Sequence, residues 1–345
     1  MSILELKNVT VSFGGLTAVN DVSCTVEQGQ ICSIIGPNGA GKTTAFNAIT
    51  GIYAPTKGRI LFEGRSLKAP FTVRTVLGIL GVGAITALGL FLASYIVSLW
   101  DAVIAAKYVY RQPFAWADTP QSFLAFVTGL SALDIIVPTV SGLSVGVLGA
   151  FTVWRRGQRT PDIVASNGIA RTFQNIRLFG KMTVLENVLV GLDGSIKANI
   201  ISRALRLPGA RRAEEAAIEK ALAALDFVGL KGSANEVAAS LPYGYQRRLE
   251  IARALATEPR LLLLDEPAAG MNPTESRELM ELIRAIRDRG ITVLLIEHHM
   301  KVVMGISDHI VVLDYGNKIA SGTPAEVRAN PKVIEAYLGK EAHGI

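Results

Sequence analysis

The chain has 345 residues, of which 50% are apolar and only 19% are charged. This length allows about two domains, and so high an apolar fraction excludes an intrinsically disordered chain. The net charge of +6 comes from dispersed basic residues without interleaved aromatic side chains, a pattern that does not favour a nucleic-acid-binding protein.

The first 67 residues contain short alternating segments separated by glycine-rich turns, which predicts strands around one helix. A polar–apolar strand begins within Met1–Val11, so we expect no signal peptide before the fold and a cytosolic location for this part. Two further strands are predicted, at Gln30–Ile35 and Arg59–Phe62. Cys24 and Cys32 are too few for a disulfide framework and are expected to be reduced thiols.

A glycine-rich loop follows the apolar strand Ile31–Ile35 and precedes a helix predicted to begin at Lys42. It fits the phosphate-loop pattern GxxxxGK[ST], with Gly36, Pro37, Asn38, Gly39, Ala40, Gly41, Lys42, Thr43 and Thr44 as candidate nucleotide-binding residues. Backbone N–H groups would face the phosphates, Lys42 would reach the β and γ oxygens, and the Thr43 hydroxyl would bind Mg²⁺. A chance glycine-rich turn is the alternative, but the strand and helix on either side favour a phosphate site.

The segment from Lys68 to Thr160 is unusually poor in charge. Between Thr75 and Trp154 the charged positions are Asp101, Lys107, Arg111, Asp118 and Asp134. Two runs, Thr75–Trp100 and Ile135–Trp154, carry no charge at all and are long enough to cross a bilayer core of about 30 Å.

The rest of the chain alternates helical patterns with buried strands, which predicts a mostly parallel sheet covered by helices. The helical patterns are Arg211–Phe227 and Thr274–Arg289, and the buried strands are Leu261–Leu264, Thr292–Ile296 and Ile310–Leu313. One apolar run, Leu261–Leu264, ends in Asp265 and Glu266, as expected of a buried strand that delivers carboxylates to its C-terminal edge. Asp265 would hold Mg²⁺ through water, and Glu266 would polarise an attacking water molecule. A helix-capping acid pair before Pro267 is the alternative.

These motifs, in this order, resemble the ATPase subunits of ABC transporters, most closely those of branched-chain amino acid importers. The resemblance covers about Ser2–Leu67 and Pro161–Gly339. Residues 168–179 are similar to the Q-loop segment of that subfamily, and residues 241–255 to its signature segment. The resemblance implies an α/β P-loop NTPase of the ABC type, with a mixed sheet, covering helices and a helical subdomain.

The resemblance also implies roles for individual residues. Glu266, His298, Gln174 and Lys42 would act in hydrolysis, and Gln174 would join Thr43 and Asp265 around Mg²⁺. Phe13 would stack on adenine, the alternative being an ordinary core phenylalanine. The remaining nucleotide-contacting residues would serve the ATP of an opposing subunit: Tyr243, Gly244, Tyr245, Gln246 and the D-loop residue Asn272.

Two positions depart from the subfamily. Tyr245 stands where its members have glutamine, while Gly244 keeps the close backbone approach. We therefore expect ATP binding to survive and turnover to be slower. His299 stands where aspartate is usual and is expected to be a solvated loop histidine.

The charge-poor segment is no part of the family pattern and is predicted to be an inserted two-helix transmembrane hairpin. Because the phosphate loop and the signature must both meet cytosolic ATP, the number of crossings must be even. Basic residues lie outside the two runs, as the positive-inside tendency requires, at Arg65, Lys68, Arg74, Arg155, Arg156 and Arg159.

Small residues would let the two helices pack closely: Gly81, Gly83, Ala87 and Gly89 in the first and Gly142 and Gly146 in the second. Asp134 is expected at a helix end, because a carboxylate at mid-bilayer is costly. The stretch Phe123–Leu133 could be interfacial or re-entrant. The alternative for the whole segment is a buried hairpin in a soluble subdomain.

The sequence thus predicts an ATPase domain split into residues 1–67 and 161–345 by a hydrophobic insertion, 68–160. It would bind ATP and Mg²⁺ and form a dimer with a second ATPase subunit. This dimer would drive permease subunits, which receive their solute from a solute-binding protein. It would lie at the inner (plasma) membrane, with the ATPase domain on the cytoplasmic side. Two other classes stay open: a non-transport ABC ATPase acting on ribosomes or DNA, and a half-transporter with its own membrane path.

Overall fold

The computed structural model describes residues 1–67, 71–109, 114, 116–157, 159–195 and 207–338. Lys68, Arg111 and Gly339, which enter the sequence predictions, lie outside the described residues. The chain forms two compact units, one made of Met1–Leu67 with Arg159–Ile345 and the other of Lys68–Gln158. The first unit carries the nucleotide-binding motifs.

The strands are β1 (Ser2–Phe13), β2 (Leu16–Glu27), β3 (Ile31–Ile35), β4 (Lys57–Phe62), β5 (Arg65–Ser66), β6 (Ile169–Arg171), β7 (Leu261–Asp265), β8 (Thr292–Ile296), β9 (His309–Asp314) and β10 (Asn317–Gly322). The helices are α1 (Lys42–Ile49), α2 (Val73–Val103), α3 (Thr119–Gly129), α4 (Ala132–Arg156), α5 (Pro161–Ser166), α6 (Val184–Leu192), α7 (Pro208–Phe227), α8 (Tyr243–Leu255), α9 (Pro273–Asp288), α10 (Met300–Ile306), α11 (Pro324–Arg328) and α12 (Pro331–Leu338).

Two sheets build the first unit. A four-stranded antiparallel sheet has the order β2–β1–β4–β5, and a six-stranded sheet has the order β10–β9–β3–β8–β7–β6. The second sheet is parallel except for the β9–β10 pair, so the sheet is mixed, as predicted. Because β3, β8 and β7 are neighbours, the loops that follow them meet at one edge.

The three central strands are continuous apolar runs because both faces of the sheet are covered. Every residue of β3, β7 and β8 is buried. Side chains from alternate positions enter two different cores: Leu262 and Leu264 pack towards the helices, and Leu261 and Leu263 pack towards the antiparallel sheet. Burial on both faces anchors the carboxyl ends of these strands, and with them the site.

A helical region made of α6, α7 and α8 packs into the larger of the two cores. Helix α6 begins with a capping box in which the Thr183 hydroxyl accepts from the N–H of Glu186 and the Glu186 carboxylate accepts from that of Thr183. The predicted helical patterns at 211–227 and 274–289 correspond to α7 and α9. The fold class predicted from the sequence is therefore confirmed for this unit.

The second unit is a helical hairpin of α2 and α4, with α3 beside α2. The helices approach closely at small residues: a Cβ atom added to Gly142 would lie 2.5 Å from the Ala87 Cα, and one added to Gly146 would lie 2.8 Å from the Gly83 Cα. Gly81 and Gly89 face open space in this structure, so their predicted role in helix packing is wrong.

The ends of the hairpin helices follow local capping rules. Ser131 caps α4, and Asp134 completes a capping box in the first turn, so this carboxylate does lie at a helix end. The Tyr95 hydroxyl donates to Asp134, which ties the two helices together. Most of the unplaced stretch Phe123–Leu133 is helical, as the second half of α3.

Both long helices expose their apolar side chains. They are long and apolar enough to cross a membrane, and only 17% of the most apolar window of each is buried. In α2 the buried residues are Gly83 and Ala87, both at the contact with α4. Packing within the described chain thus leaves the apolar surface of the hairpin uncovered, and its assignment to a membrane stays a prediction.

Candidate functional site

The glycine-rich loop between β3 and α1 folds back on the strands around it. Gly41 has φ of 94°, and a Cβ atom there would lie 2.3 Å from the backbone oxygen of Ala18. A Cβ atom at Gly36 would lie 2.1 Å from the Leu313 oxygen. Any larger residue at either position would displace the backbone, so the loop can close around a small anion only with glycine here.

Helix α1 begins at this loop without a side-chain cap, because Gly41 occupies the N-cap position. Its first N–H groups therefore remain for an external acceptor, and the helix dipole favours an anion there. Lys42 is 8% exposed, and its ammonium donates to the backbone oxygens of Gly36 at 2.8 Å and Pro37 at 2.9 Å. Burial lowers the pKa of Lys42, while the charges of Glu266 and Asp265 oppose this shift.

The two acids lie at the C-terminal end of β7, as the sequence predicts. Asp265 is the last strand residue and is 3% exposed, whereas the side chain of Glu266 is 19% exposed. Glu266 has φ of 46°, in the left-handed region that residues other than glycine rarely adopt. Its N–H donates to Ile296, so the neighbouring strand β8 holds this strained turn in place.

Two further predicted residues converge on Glu266. The Gln174 side-chain amide donates to Glu266 Oε2 at 2.8 Å, and the same oxygen lies 3.5 Å from Nδ1 of His298. These residues are separated by 92 and 32 positions in sequence, and three different loops bring them together. The arrangement places an acceptor carboxylate between an amide and an imidazole, beside the phosphate loop.

The predictions missed the role of Glu297, which is fully buried beside His298. Its carboxylate accepts from the backbone N–H groups of Ala268, His298 and His299. Glu297 therefore ties the loop after β7 to the loop after β8. An acid directly after the apolar strand β8 is the sequence signal that could have revealed it.

His299 is 53% exposed at the side chain, as expected of a solvated loop histidine, and its Nδ1 lies 3.4 Å from Glu297. Its ring contacts that of His298 in a tilted arrangement, with the ring centres 4.2 Å apart and an angle of 37° between the ring planes. The three side chains His298, His299 and Glu297 offer ligand atoms within 4.8 Å of one another. Glu297 already accepts three backbone donors, so its contacts are explained by the loop structure.

A second missed feature holds the segment that carries Gln174. Arg247, in α8, is fully buried and donates to the backbone oxygens of Phe173 at 2.6 Å and Gln174 at 2.7 Å. It also pairs with Glu250 at 2.8 Å, and Glu250 accepts from the N–H of Phe173. The sequence signal for this pair is an arginine followed three residues later by a glutamate, a spacing that brings the two side chains together on a helix.

The signature residues lie at the start of α8. Tyr243 and Tyr245 are half-exposed, with 45% and 46% of their surfaces accessible. The Tyr245 ring lies under the guanidinium of Arg248, 5.7 Å from ring centre to Cζ. Gly244 is buried against Glu275, and the Gln246 amide donates to the Leu241 oxygen inside the same turn. The two tyrosines are thus presented outwards.

Phe13 ends β1 and is 44% exposed, so the alternative of a core phenylalanine does not describe it. Its ring contacts Tyr53 edge-on, 4.9 Å between ring centres, a partner that the sequence did not predict. Asn272 caps α9, its side-chain oxygen accepting from the N–H groups of Thr274 and Glu275. That oxygen is therefore engaged within the chain.

The chemistry of the predicted metal ligands suits Mg²⁺, which binds hard oxygen atoms and retains several waters. Thr43 is exposed in the first turn of α1, and the Gln174 amide nitrogen donates to Glu266, so the amide oxygen of Gln174 would be the atom left for a metal ion. Asp265 reaches the same edge but is paired with Arg171 at 2.7 Å, a residue that the sequence predictions missed. A single arginine at the end of the apolar strand β6 was the available signal.

Comparison with known proteins identifies the family of this chain. The chain matches the family described as ABC transporter over residues 19–81 and 153–269, and the family described as branched-chain amino acid ATP-binding cassette transporter over residues 317–343. The chain belongs to the ATP-binding subunits of ABC transporters, and it is an ATPase of that family. The match omits residues 82–152, which lie inside the hairpin unit.

Among characterised proteins, the chain is similar to ATP-binding proteins of branched-chain amino acid transport. The chain is 38% identical over 339 residues, 98% of each chain, to the high-affinity branched-chain amino acid transport ATP-binding protein BraF of Pseudomonas aeruginosa. It is equally similar to the protein LivG of the same description from Escherichia coli K12, again over 98% of each chain. A nucleotide-free ATP-binding cassette from an ABC transporter superposes with a TM-score of 0.64 at 26% identity, covering 99% of this chain and 100% of that one. The ADP conformation of an ATP-binding cassette of an ABC transporter superposes with a TM-score of 0.63 at 26% identity, covering 99% of this chain and 100% of that one.

Proposed function

We propose that this chain is the ATP-hydrolysing subunit of an importer for branched-chain or related amino acids, and that its hydrolytic centre is Glu266 with Gln174 and His298. The observation that carries the catalytic part is the convergence of these two side chains on one Glu266 oxygen. The cargo is proposed from the names of relatives that are 38% identical over nearly the whole chain.

The residues of the site divide the work of phosphoryl transfer. The N–H groups of the glycine-rich loop and the Lys42 ammonium bind the phosphates and offset the charge that develops on them. Glu266 accepts a hydrogen bond from water and directs it in line with the γ-phosphate, and His298 donates to the γ-phosphate. Because Gln174 donates to Glu266, it fixes the direction of that carboxylate.

Thr43, Gln174 and Asp265 would hold Mg²⁺, with Asp265 acting through water. When bound, the ion would neutralise part of the negative charge of the phosphates. The three ligands come from α1, from the segment after β6 and from the end of β7. Each is an oxygen donor of the type that Mg²⁺ prefers.

ABC ATPases of importers work as dimers beside permease subunits, and we propose a head-to-tail dimer for this chain. The segment of Tyr243, Gly244, Tyr245 and Gln246, in which the two tyrosines are half-exposed, would then complete the partner's ATP site, with Asn272 near the same boundary. Phe13, exposed beside Tyr53, would stack on adenine. Permease subunits fed by a solute-binding protein would convert closure of the dimer into uptake.

We further propose that residues 68–160 form a membrane hairpin between the two parts of the ATPase domain, 1–67 and 161–345. With 31 and 25 residues, α2 and α4 are about 46 and 37 Å long at 1.5 Å per residue, more than a bilayer core needs. Exposed apolar side chains along both helices support a lipid contact. The ATPase domain would lie on the cytoplasmic side of the inner membrane.

The catalytic proposal is tested with Glu266→Gln in the purified full chain. The substitution keeps the size of the side chain but replaces the carboxylate by a neutral amide, which removes the negative charge and one acceptor oxygen. ATP hydrolysis, measured as phosphate release, should fall by about 100-fold or more, while binding of a fluorescent ATP analogue is retained. Hydrolysis within a few-fold of the unmodified protein would exclude Glu266 as the residue that directs water.

The cargo and the partners are tested together by affinity purification of the tagged full chain from membranes. Two permease subunits with a solute-binding protein should co-purify, and proteoliposomes of that complex should take up leucine, isoleucine or valine when ATP is supplied inside. Co-purification of ribosomes would instead support a non-transport ATPase. A membrane dimer that transports without other subunits would support a half-transporter.

The hairpin proposal is tested by deleting residues 68–160 and expressing the protein without a permease. The full chain should sediment with membranes and resist carbonate extraction, and the deleted chain should be released. Equal membrane association of the two forms would contradict a membrane hairpin.

A further inference from the structure

Arg171 joins three elements of the nucleotide site through one guanidinium group. Its Nη2 pairs with Asp265 Oδ2 at 2.7 Å, and its Nη1 donates to Asn47 Oδ1 at 2.7 Å and to the Thr50 hydroxyl at 3.2 Å. Asp265 ends β7, whereas Asn47 lies in α1 and Thr50 directly follows it. The guanidinium therefore bridges the acidic strand end and the phosphate-loop helix.

Through Asn47, the bridge reaches the face of α1 that carries Thr43. Asn47 follows Thr43 by four residues, so the two side chains lie on the same face of α1, one turn apart. Thr43 and Asp265 are two of the three proposed Mg²⁺ ligands, and they belong to separate elements. Arg171 thus links the helix face that carries one ligand to the other ligand itself.

The bridge is held rigidly. The Arg171 side chain is 9% exposed, and its Cζ lies 5.6 Å from the ring centre of Phe46 and 5.4 Å from that of Phe173. The two rings restrict its movement, and the planar fork of donors serves Asp265 and Asn47 at once. Its Nε is buried without a hydrogen-bond partner within the described residues, so the contacts of the two terminal nitrogens define its place.

We propose that Arg171 is a positioning residue for Mg²⁺ binding: it fixes the Asp265 carboxylate relative to the Thr43 face of α1. Arg171 itself contacts neither nucleotide nor ion in this proposal. The inference rests on the proposed Mg²⁺ ligand set. Asp265 would reach the ion through water, and the loss of outer-shell partners that orient metal-binding groups typically weakens metal binding by about 10–100-fold.

The test compares Arg171→Gln with the unmodified full chain by titrating Mg²⁺ against binding of a fluorescent ATP analogue. The half-saturating Mg²⁺ concentration should rise by about 10–100-fold. Binding of the analogue in EDTA should stay within about 2-fold of the unmodified protein, because the phosphate loop is untouched. Arg171→Lys keeps one charge but loses the fork, so a smaller rise is expected.

Two further variants separate positioning from stability. Asn47→Ala removes only the tether to α1 and should raise the half-saturating Mg²⁺ concentration in the same direction, less than Arg171→Gln does. Arg159→Gln is the matched control, because Arg159 is a partly buried arginine that also contacts the C-terminal end of α1, donating to the Ile49 oxygen, and it belongs to neither the Asp265 nor the Asn47 contact. It should lower thermal stability and leave the Mg²⁺ dependence unchanged.

The proposal is overturned if Arg171→Gln shifts the Mg²⁺ dependence no more than Arg159→Gln does. It is also overturned if Arg171→Gln weakens binding in EDTA as much as in Mg²⁺. Should Arg171→Gln fail to fold, Arg171→Lys and Asn47→Ala decide the matter by the same titration. The ligand set itself fails separately, if nucleotide binding and hydrolysis by the unmodified chain do not depend on Mg²⁺.

Discussion

The ion pair between Arg247 and Glu250 is almost completely excluded from solvent, since the two side chains are 0% and 1% exposed. We predict that Arg247→Met lowers the free energy of unfolding by about 3–5 kcal/mol, because the Glu250 carboxylate would stay buried without its counter-charge. For a unit of this size, such a loss corresponds to a melting temperature lower by about 6–20 °C.

The double variant Arg247→Met/Glu250→Leu removes both charges and should recover much of this loss, because an apolar pair of similar volume often replaces a buried ion pair at little cost. A deficit should remain. The oxygens of Phe173 and Gln174 would lose their donor, and an unsatisfied buried acceptor costs about 1–3 kcal/mol. Hydrolysis should stay low in the double variant, since the backbone at Gln174 is no longer held.

Thermal unfolding of the detergent-purified chain, followed by circular dichroism, together with phosphate release, checks both expectations. Arg248→Met is the control, because its pair with Glu278 is partly exposed and should contribute less than about 1 kcal/mol. If the double variant loses as much stability as the single variants Arg247→Met and Glu250→Leu added together, the pair is not coupled and the reasoning fails. Full activity in the double variant would show that Arg247 does not position Gln174.

Three further predictions follow from single positions. Tyr245→Gln should raise ATP hydrolysis several-fold, as measured by phosphate release, and an unchanged rate would remove the idea that Tyr245 slows turnover. Gly142→Leu should destabilise the hairpin by about 1–3 kcal/mol in thermal unfolding, since its Cβ would lie 2.5 Å from the Ala87 Cα. The control is Gly149→Leu, which should leave the melting temperature unchanged because a Cβ atom there would meet nothing within 4 Å. Burial raises the pKa of Cys24 from 9.0 to about 11. At pH 8 its thiolate fraction, and hence its alkylation by iodoacetamide, should therefore be about 100-fold lower than in the unfolded chain, whereas equal rates would contradict the shift.

Sequence predicted the position of the glycine-rich loop and of the acid pair, because each is a contiguous segment. The loop at 36–44 must place glycines, a lysine and a threonine in a fixed order because they act from one turn of backbone. The acids at 265 and 266 follow an apolar strand, and the periodicity of that strand already shows where it ends. For the same reason, long uncharged runs predicted α2 and α4 to within a few residues.

Contacts between distant segments were beyond the sequence. Arg171 and Asp265 are 94 residues apart, and nothing in either segment announces the pair. In the sequence, Arg247 and Arg248 are two adjacent arginines, and nothing shows which of them is buried. In the structure, the packing of α8 against the Gln174 segment buries Arg247 and leaves Arg248 partly exposed. Helix rotation likewise decided that Gly83 packs against α4 and Gly81 does not.

The sequence by itself determined where this protein has a glycine-rich loop, an acid pair at the end of a strand and an apolar insertion, because each is a local pattern of residue types in a fixed order. The tertiary structure alone decided that Gln174 and His298 share one oxygen of Glu266 and that Arg171 binds Asp265. Those contacts depend on the order of β3, β8 and β7 in the sheet, which brings loops far apart in the chain to a single edge.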